Sequence, residues 1–381
     1  MQILGFLAFV VALLLSVMLH EFGHFIMAKR FGMKVSEFFL GFGQKIWSTR
    51  RGETEFGLKA IPAGGYCKIE GMTPGDLMSE GEEDRAFYSA SSGRKLVVLG
   101  AGSFLHFVLG YLLLFVLFVG IGTSQLLPVV SEVVKGSSAQ SAGIAVGDEI
   151  TSINGMKVRD WATDVLIIRN SQGKELTLGI KRNGQDLVIR ASATRETVDG
   201  KDRYILGIMS KVGLKRAGFI TSVKNAGLVS RELLKQSVAS LVKLPSKVPA
   251  LWGQTVNGDE RDPNGLVGVV GVARVSGEAL SSAKLSLKER VATFILIIAS
   301  LNIFVGIFNL LPLLPLDGGH MAVAIADEIR AFLARLRGRA RPAAIDVTSL
   351  TPITMVVFVI LAALTALLLV ADIVNPVLLN L

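Results

Sequence analysis

The sequence has little of what a disulfide-bonded, soluble or nucleic-acid-binding protein needs. Cys67 is its only cysteine, so no intrachain disulfide can form and the redox compartment stays open. Charged residues make up 19% of the 381-residue chain and hydrophobic residues 51%, which is too apolar for an ordinary globular protein. The net charge of +9 comes without the aromatic and basic interleaving or the motifs of nucleic-acid-binding proteins. We therefore expect no nucleic-acid partner.

The hydrophobic residues are concentrated in four runs, each long enough to cross a membrane. This pattern predicts a polytopic α-helical membrane protein with four transmembrane helices and an inserted polar domain. The first run has no basic N-terminal region and no small-x-small cleavage site, so we expect it to be retained rather than cleaved as a signal peptide. The predicted transmembrane helices are residues 1–28, 96–121, 291–317 and 351–374.

The first run ends in the motif His20-Glu21-Phe22-Gly23-His24. Two histidines four residues apart lie on one face of a helix, so both imidazoles can reach one metal ion. The glutamate between them is then free to handle a proton. On a soluble surface helix the same residues could simply be solvated. At membrane depth ionisable side chains are costly and usually functional, which favours a metal site.

Residues 29–95, between the first two runs, have the pattern of a small β-sheet. We expect this sheet to lie in the cytoplasm or to re-enter the membrane. An exposed strand beside an active site can pair with a substrate held in an extended form, although a plain hairpin has the same spacing. Alternating segments separated by glycines predict strands at Lys34–Phe38, Lys45–Thr49, Glu55–Ile61 and Gly65–Ile69.

The inserted domain, residues 125–213, is polar and patterned as strands with turns. Asn154-Gly155 is a strong signal for a hairpin turn. Residues 142–155 contain Ala-Gly, then Gly-Asp, then Ile-x-x-Ile-Asn-Gly, and this string resembles that of a PDZ domain, an α+β fold. Such domains bind extended peptides or C-termini along a sheet edge. The alternative is a structural cap that binds nothing.

Residues 214–290 are predicted to form amphipathic helices and a linker. An apolar stripe over residues 217–252 predicts one or two helices that end at Pro245 and Pro249. The segment Gly265–Gly277 has the glycine-rich composition of a loop, and its role stays open.

The third run ends in a second group of polar residues and prolines. Pro312 and Pro315 should break the helix, which membrane proteins tolerate where the backbone lines a cavity. Asp317 is then a carboxylate on an irregular segment, and it suits a third metal ligand. Residues 318–350 are predicted to be a basic loop that contains Arg330, Arg335, Arg337, Arg339 and Arg341.

The basic residues also predict the orientation. Residues 29–95 and 318–350 flank the spans closely and are rich in Lys and Arg, so the positive-inside rule places both in the cytoplasm. The N-terminus, the inserted domain and the C-terminus then lie outside. His20, His24 and Asp317, although far apart in the chain, arrive at the same depth near the cytoplasmic face.

Taken together, these motifs resemble those of the bacterial site-2 proteases, intramembrane zinc metalloproteases of the regulator-of-sigma-E type. The resemblance covers essentially the whole chain and rests on residues 20–24, 52–72 and 309–320 and on the PDZ-like string. It implies one Zn²⁺ per chain, held by His20, His24 and Asp317, and a location in the bacterial inner membrane. It also implies that Glu21 activates the attacking water. The substrate-binding residues that it implies are Asn302, Asn309, Gly64, Gly65 and Tyr66.

One stretch departs from the family pattern. Ser103 and His106 stand where members commonly have Pro and Asn, which puts the contribution of the second helix to the substrate path in doubt. His106 is either a metal ligand or a histidine that is hydrogen-bonded inside the helix bundle. Asn302 and Asn309 either position the substrate or join helices through hydrogen bonds.

The predicted function is intramembrane cleavage of single-span membrane proteins, such as anti-sigma factors or remnant signal peptides, by a zinc endopeptidase. The PDZ domain would act outside as a size filter or a tether for substrates already cut by another protease. One alternative is a non-proteolytic PDZ-bearing scaffold with a structural metal. Another is a zinc transporter, which would need more ionisable residues in its spans.

Overall fold

The computed structural model describes residues 2–73, 76, 78–198, 201–262 and 265–377. Its α-helices are α1 (Gln2–Arg30), α2 (Ser92–Val116), α3 (Ser138–Ser141), α4 (Trp161–Arg169), α5 (Phe219–Trp252), α6 (Val269–Ser281), α7 (Leu287–Asn309), α8 (Asp317–Leu336) and α9 (Thr351–Val374). Its strands are β1 (Val35–Arg51), β2 (Thr54–Ile69), β3 (Thr123–Val133), β4 (Glu149–Ile153), β5 (Met156–Lys157), β6 (Glu175–Arg182), β7 (Gln185–Ser192), β8 (Thr194–Val198), β9 (Lys201–Ile205) and β10 (Ile208–Lys215). The chain forms two compact units, Val119–Ala217 and the remainder.

Four helices in the described residues are long and apolar enough to cross a membrane, as predicted. They pair their backbone groups internally, which a hydrocarbon environment requires. The second ends in a π-helical turn, Leu117–Ile121, and the fourth begins with a 3₁₀ turn, Val347–Leu350. These four segments are Gln2–Arg30, Ser92–Ile121, Leu287–Asn309 and Val347–Val374.

The third span is shorter than predicted. α7 ends at Asn309, eight residues before the predicted end at 317, because the chain is irregular from Leu310 to Leu316 around Pro312 and Pro315. Asp317 therefore does not lie on the irregular segment: it is the first residue of α8. The prediction of a loop over 318–350 was wrong for residues 318–336. The arginines suggested a solvated loop, but Ala324, Ala331 and Ala334 form a buried helical face.

The segment before α7 also differs from its prediction. α5 continues through Pro245 and Pro249 to Trp252, although each proline removes one backbone hydrogen bond. Residues 269–277, the larger part of the predicted loop Gly265–Gly277, belong to α6, and the small residues of this helix explain why. A Cβ on Gly277 would lie 2.9 Å from the carbonyl oxygen of Gln2, so glycine lets α6 pack directly on α1.

β1 and β2 are long strands that contain the predicted short ones almost entirely, and together they form one sheet. The first part of β1, Val35–Leu40, pairs on one side with Gly65–Ile69 and on the other with Glu55–Leu58. Glu55–Leu58 pairs in turn with Trp47–Arg50. Among the described residues Gly65–Ile69 has one pairing partner, so it is an edge of the sheet.

The unit Val119–Ala217 is built on a sheet with the order β10-β3-β4-β6-β7, in which β5 pairs with β4. Asn154 and Gly155 both have positive φ and join β4 to β5, as the predicted hairpin turn requires. Its core lies between the sheet and α4, where Trp161 and Ile168 pack on buried residues of β4 and β6. Asp148, which is fully buried, accepts hydrogen bonds from Arg182 at 2.7 and 2.8 Å.

Candidate metal centre

The two histidines of the H-E-x-x-H motif lie one turn apart on α1 and are both buried. Their Nε2 atoms are 3.0 Å apart, so the two side chains converge on one point. α2 crosses α1 at this level. A Cβ on Gly23 would lie 2.6 Å from the carbonyl oxygen of Ala101, so the glycine in the motif permits that crossing.

Asp317 completes the cluster from the far end of the chain. Its Oδ2 lies 3.0 Å from Nε2 of His20 and 3.3 Å from Nε2 of His24. The irregular segment after α7 folds tightly onto the start of α8, and the two glycines after Asp317 make this possible. A Cβ on Gly318 would lie 2.3 Å from the backbone of Leu310, and one on Gly319 would lie 2.4 Å from Leu314 N.

The protonation pattern of this cluster suits a metal ion. Nδ1 of His24 lies 2.8 Å from the carbonyl oxygen of Val98, which can only accept, so Nδ1 carries the proton and Nε2 presents a lone pair. Oδ2 of Asp317 is buried without a well-directed hydrogen-bond donor in the described part of the chain, although both Nε2 atoms are within 3.3 Å. Acceptor atoms this close repel each other unless a metal ion or a proton lies between them.

The size of the cluster fits zinc. Zn²⁺ with ligand bonds of about 2.0–2.2 Å holds tetrahedral ligand atoms roughly 3.3–3.5 Å apart, close to the 3.0–3.3 Å found here. The group of possible metal ligands in the described residues is His20, His24 and Asp317. Three ligands leave one position open, as in catalytic rather than structural zinc sites.

Gly102 of α2 lies directly against the two histidines and forms part of the wall of the cavity that would hold the metal. A Cβ there would lie 2.5 Å from Cε1 of His20 and 2.6 Å from Nε2 of His24. The sequence predicts only close helix packing at Gly100, Gly102 and Gly110. It gave no sign of the Val98 carbonyl, because a backbone contact has no side-chain signature.

Glu21 lies between the two ligands in sequence and faces the edge of the sheet. The backbone of Cys67 on β2 is within hydrogen-bonding reach of its carboxylate. A Cβ on Gly65 would lie 3.8 Å from Cγ of Glu21 and 2.6 Å from Sδ of Met18. The edge Gly65–Ile69 therefore runs directly beside the metal cluster.

The other residues predicted to bind substrate divide into two groups. Asn309 lies near the cluster, with its amide 3.5 Å from Nδ1 of His20. Gly64 and Tyr66 make their contacts within the sheet. Gly64 has a φ of +131° and faces Phe42. The Tyr66 hydroxyl donates to Glu37 and accepts from Lys59, whose Nζ is 2.6 Å away.

Asn302 and His106 form a buried network between helices. Nδ1 of His106 lies 2.8 Å from Oδ1 of Asn302, whose amide donates to Ser16 Oγ and to the carbonyl oxygen of Ile298. The network joins α1, α2 and α7, as the helix-bundle alternative predicts. His106 packs on His20, with ring centroids 5.0 Å apart, but stays outside the ligand group, as does His320.

Known proteins resemble the chain over almost its whole length. The model of peptidase family M50 matches residues 8–351. Zinc metalloprotease Rip1 of Mycobacterium tuberculosis is 32% identical over 412 residues, which cover 99% of both chains. A putative zinc metalloprotease of Helicobacter pylori is 33% identical over 339 residues, 85% of this chain and 89% of that protein. A putative zinc metalloprotease of Clostridium perfringens is 28% identical over 315 residues, 82% and 85% of the two chains.

Each of these relatives is named a zinc metalloprotease. The four apolar helices agree with a protein that is embedded in a membrane. Because the family match covers most of the 381 residues, the chain belongs to peptidase family M50, the site-2 proteases, and is a zinc metalloendopeptidase with Zn²⁺ as its cofactor.

Proposed function

We propose that this protein is an intramembrane endopeptidase that hydrolyses peptide bonds within the transmembrane segments of single-span membrane proteins. The observation that carries the proposal is the cluster of His20, His24 and Asp317, whose ligand atoms lie within 4.8 Å of one another beside apolar helices. These three residues would hold one Zn²⁺ per chain. A bound Zn²⁺ there supplies Lewis acidity, which makes water easier to deprotonate and polarises the scissile carbonyl.

Glu21 is the general base of the proposed reaction. It sits on the same helix as two ligands, and its carboxylate takes a proton from the attacking water and later gives it to the leaving amine. The neighbouring edge of the sheet supports this role, because it would place a substrate strand within reach of Glu21.

A helical substrate must unwind locally before its backbone can be attacked. The edge Gly65–Ile69 supports this step, since an unpaired strand edge can hydrogen-bond an extended peptide. Gly64 and Gly65 keep the backbone accessible there, because neither carries a side chain. Tyr66 would contact the substrate from the face of the sheet, and Asn309 would do so from beside His20. Asn302 acts at a distance, through the helix network.

The proposed setting is the bacterial inner membrane, with the site near the cytoplasmic face and Val119–Ala217 outside. The basic segments that flank the spans support this orientation. The five-strand order and the Asn154-Gly155 turn support a PDZ-type domain that binds peptides or C-termini, or that filters substrates by size. The substrates would be anti-sigma factors or remnant signal peptides, already trimmed by another protease.

Comparing the membrane proteomes of cells with wild-type protein and with Glu21→Gln tests the proposal. We expect the variant to bind zinc normally and to accumulate single-span fragments that the wild type removes. Glu80→Gln, on an exposed residue, is the matched control and should behave like the wild type. Undiminished cleavage of a single-span reporter by Glu21→Gln would contradict the proposal.

A further inference from the structure

α8 has two apolar faces, and the metal site uses neither. One consists of the small residues Ala324, Ala331 and Ala334, which are buried. The other consists of large side chains at helical spacing that are exposed: Phe332 is 56% exposed and Leu336 is 68% exposed. This second face is the apolar stripe, and its members are Ile325, Ile329, Phe332, Leu333 and Leu336.

Basic residues flank the apolar stripe. Residues 329–345 contain five arginines and no acidic residue. α8 ends at Leu336, and Gly338, which has a φ of +65°, follows it. Gly338 N donates to Arg335 O, and Arg339 N donates to Ala334 O. This C-terminal cap turns the chain back along the helix.

The returning segment is fixed to α8 and builds a groove against it. Ile345 N donates to Asp327 at 2.8 Å, and Arg341 donates to Glu328 at 3.0 Å. The groove has a volume of about 410 Å³, and it combines arginines with apolar side chains. Its lining residues are Arg330, Leu333, Ala334, Arg337, Arg339, Ala340 and Pro342.

We propose that this groove and the apolar stripe together bind the membrane surface, with the groove taking the phosphate headgroup of an acidic phospholipid. Guanidinium groups recognise phosphate oxygens through paired hydrogen bonds. Leu333 belongs to both the groove and the stripe, so a headgroup in the groove would lie beside acyl chains on the stripe.

The position of this segment in the chain favours lipid as the occupant. The segment runs from the end of one apolar span, at Asn309, to the start of the next, at Val347, so both of its ends are tied to the same membrane surface. A helix with an apolar face and flanking arginines binds such a surface by burial and by attraction to anionic lipid.

Phospholipid binding to the full-length protein in detergent tests the headgroup site. We expect phosphatidylglycerol to bind more tightly than phosphatidylcholine, measured as lipid adducts by native mass spectrometry. The triple variant Arg330→Gln, Arg337→Gln and Arg339→Gln should lose this preference, with affinity for phosphatidylglycerol reduced about tenfold or more. The control variant Arg169→Gln, Arg190→Gln and Arg216→Gln removes the same charge from exposed sites and should keep the preference.

The stripe is tested separately, in vesicles, with a bimane label on Ile329→Cys in a Cys67→Ala background. Brominated acyl chains should quench the label more strongly than aqueous iodide does. Quenching mainly by iodide would show that the stripe faces water and would overturn the proposal. Energy transfer between labelled copies would show that a second copy of the chain covers the stripe, and it would overturn the proposal too. An unchanged lipid preference in the arginine variant would also overturn it. So would displacement of phosphatidylglycerol by millimolar inorganic phosphate, since that identifies a free-phosphate site.

Discussion

Gly102 of α2 stands against His20 of α1 so closely that a Cβ on the glycine would lie 2.5 Å from Cε1 of the imidazole. It would also lie 2.6 Å from Nε2 of His24. This contact means that the second span shapes the metal cavity without contributing a ligand to it.

Replacing Gly102 with alanine should therefore displace the histidines. We expect Gly102→Ala to lower zinc content and reporter cleavage at least tenfold, measured by metal analysis and peptide release. The change favours the helix by about 1 kcal/mol in intrinsic propensity, so the expected loss comes from the clash of the new methyl group with the two imidazoles. Gly100→Ala is the matched control, because its Cβ would lie no closer than 3.8 Å to a neighbour, Met321. Full zinc occupancy in Gly102→Ala would show that the cavity tolerates the methyl group.

Asn309 is the candidate for orienting His20. Its amide lies 3.5 Å from Nδ1 of that ring, and an amide oxygen turned toward Nδ1 accepts its proton and leaves Nε2 free for a metal. Asn309→Asp keeps an acceptor and should retain zinc, whereas Asn309→Leu should weaken zinc binding about 10–100-fold. Competition with a fluorescent chelator measures both affinities. Equal affinities for the two variants would limit Asn309 to contact with the substrate.

His106 gives a test of the bundle network. Its Nδ1 donates to Asn302, which is 1% exposed and is also bound to Ser16. Asn302→Leu leaves Nδ1 of His106 without its partner and should lower the unfolding free energy by about 1–3 kcal/mol. Ser16 loses the hydrogen bond from Asn302 but still donates to the carbonyl oxygen of Ala12. His106→Asn should keep stoichiometric zinc, since His106 lies outside the ligand group. Loss of zinc from His106→Asn at saturating metal would instead make it a ligand.

The parts of the site that depend on the type and spacing of side chains could be predicted from the sequence. His20 and His24 have helical spacing, and Asp317 follows a broken span, so their convergence could be anticipated. The four strands between Lys34 and Ile69 were also visible as alternation. What the sequence could not show is that their order in the sheet leaves Gly65–Ile69 at the edge, because bulges in β1 set that register.

Contacts made by the backbone or by small residues were hidden for a physical reason. The Val98 carbonyl fixes the tautomer of His24, and any residue could provide it. Glycines and arginines predict loops over Gly265–Gly277 and residues 318–350, and these ranges include most of α6 and α8. The periodicity of the small buried residues in both helices is a weaker signal. Gly277 and Ala331 pack well only because a neighbouring helix comes close, and sequence alone does not reveal that neighbour.

The ion pair of Asp148 and Arg182 should make the unit Val119–Ala217 sensitive to acid. Asp148 is fully buried, and the guanidinium of Arg182 holds the pKa of its carboxyl below the ordinary value. A carboxyl with a lowered pKa in the folded state stabilises the fold above about pH 4, its unfolded pKa, and this contribution is lost as pH falls through the folded value. Arg182 keeps its charge throughout.

We therefore expect the unit to unfold at progressively lower temperature below about pH 4. Asp148→Asn should be less stable at pH 7 by about 1–3 kcal/mol and should lose most of this acid dependence. The buried Trp161, whose Nε1 donates to Ser210, reports unfolding of this unit in full-length protein when Trp47 and Trp252 are replaced by Phe. Asp186→Asn, on an exposed residue of β7, is the control and should keep the wild-type profile. If Asp148→Asn keeps the acid dependence, other carboxyl groups cause it.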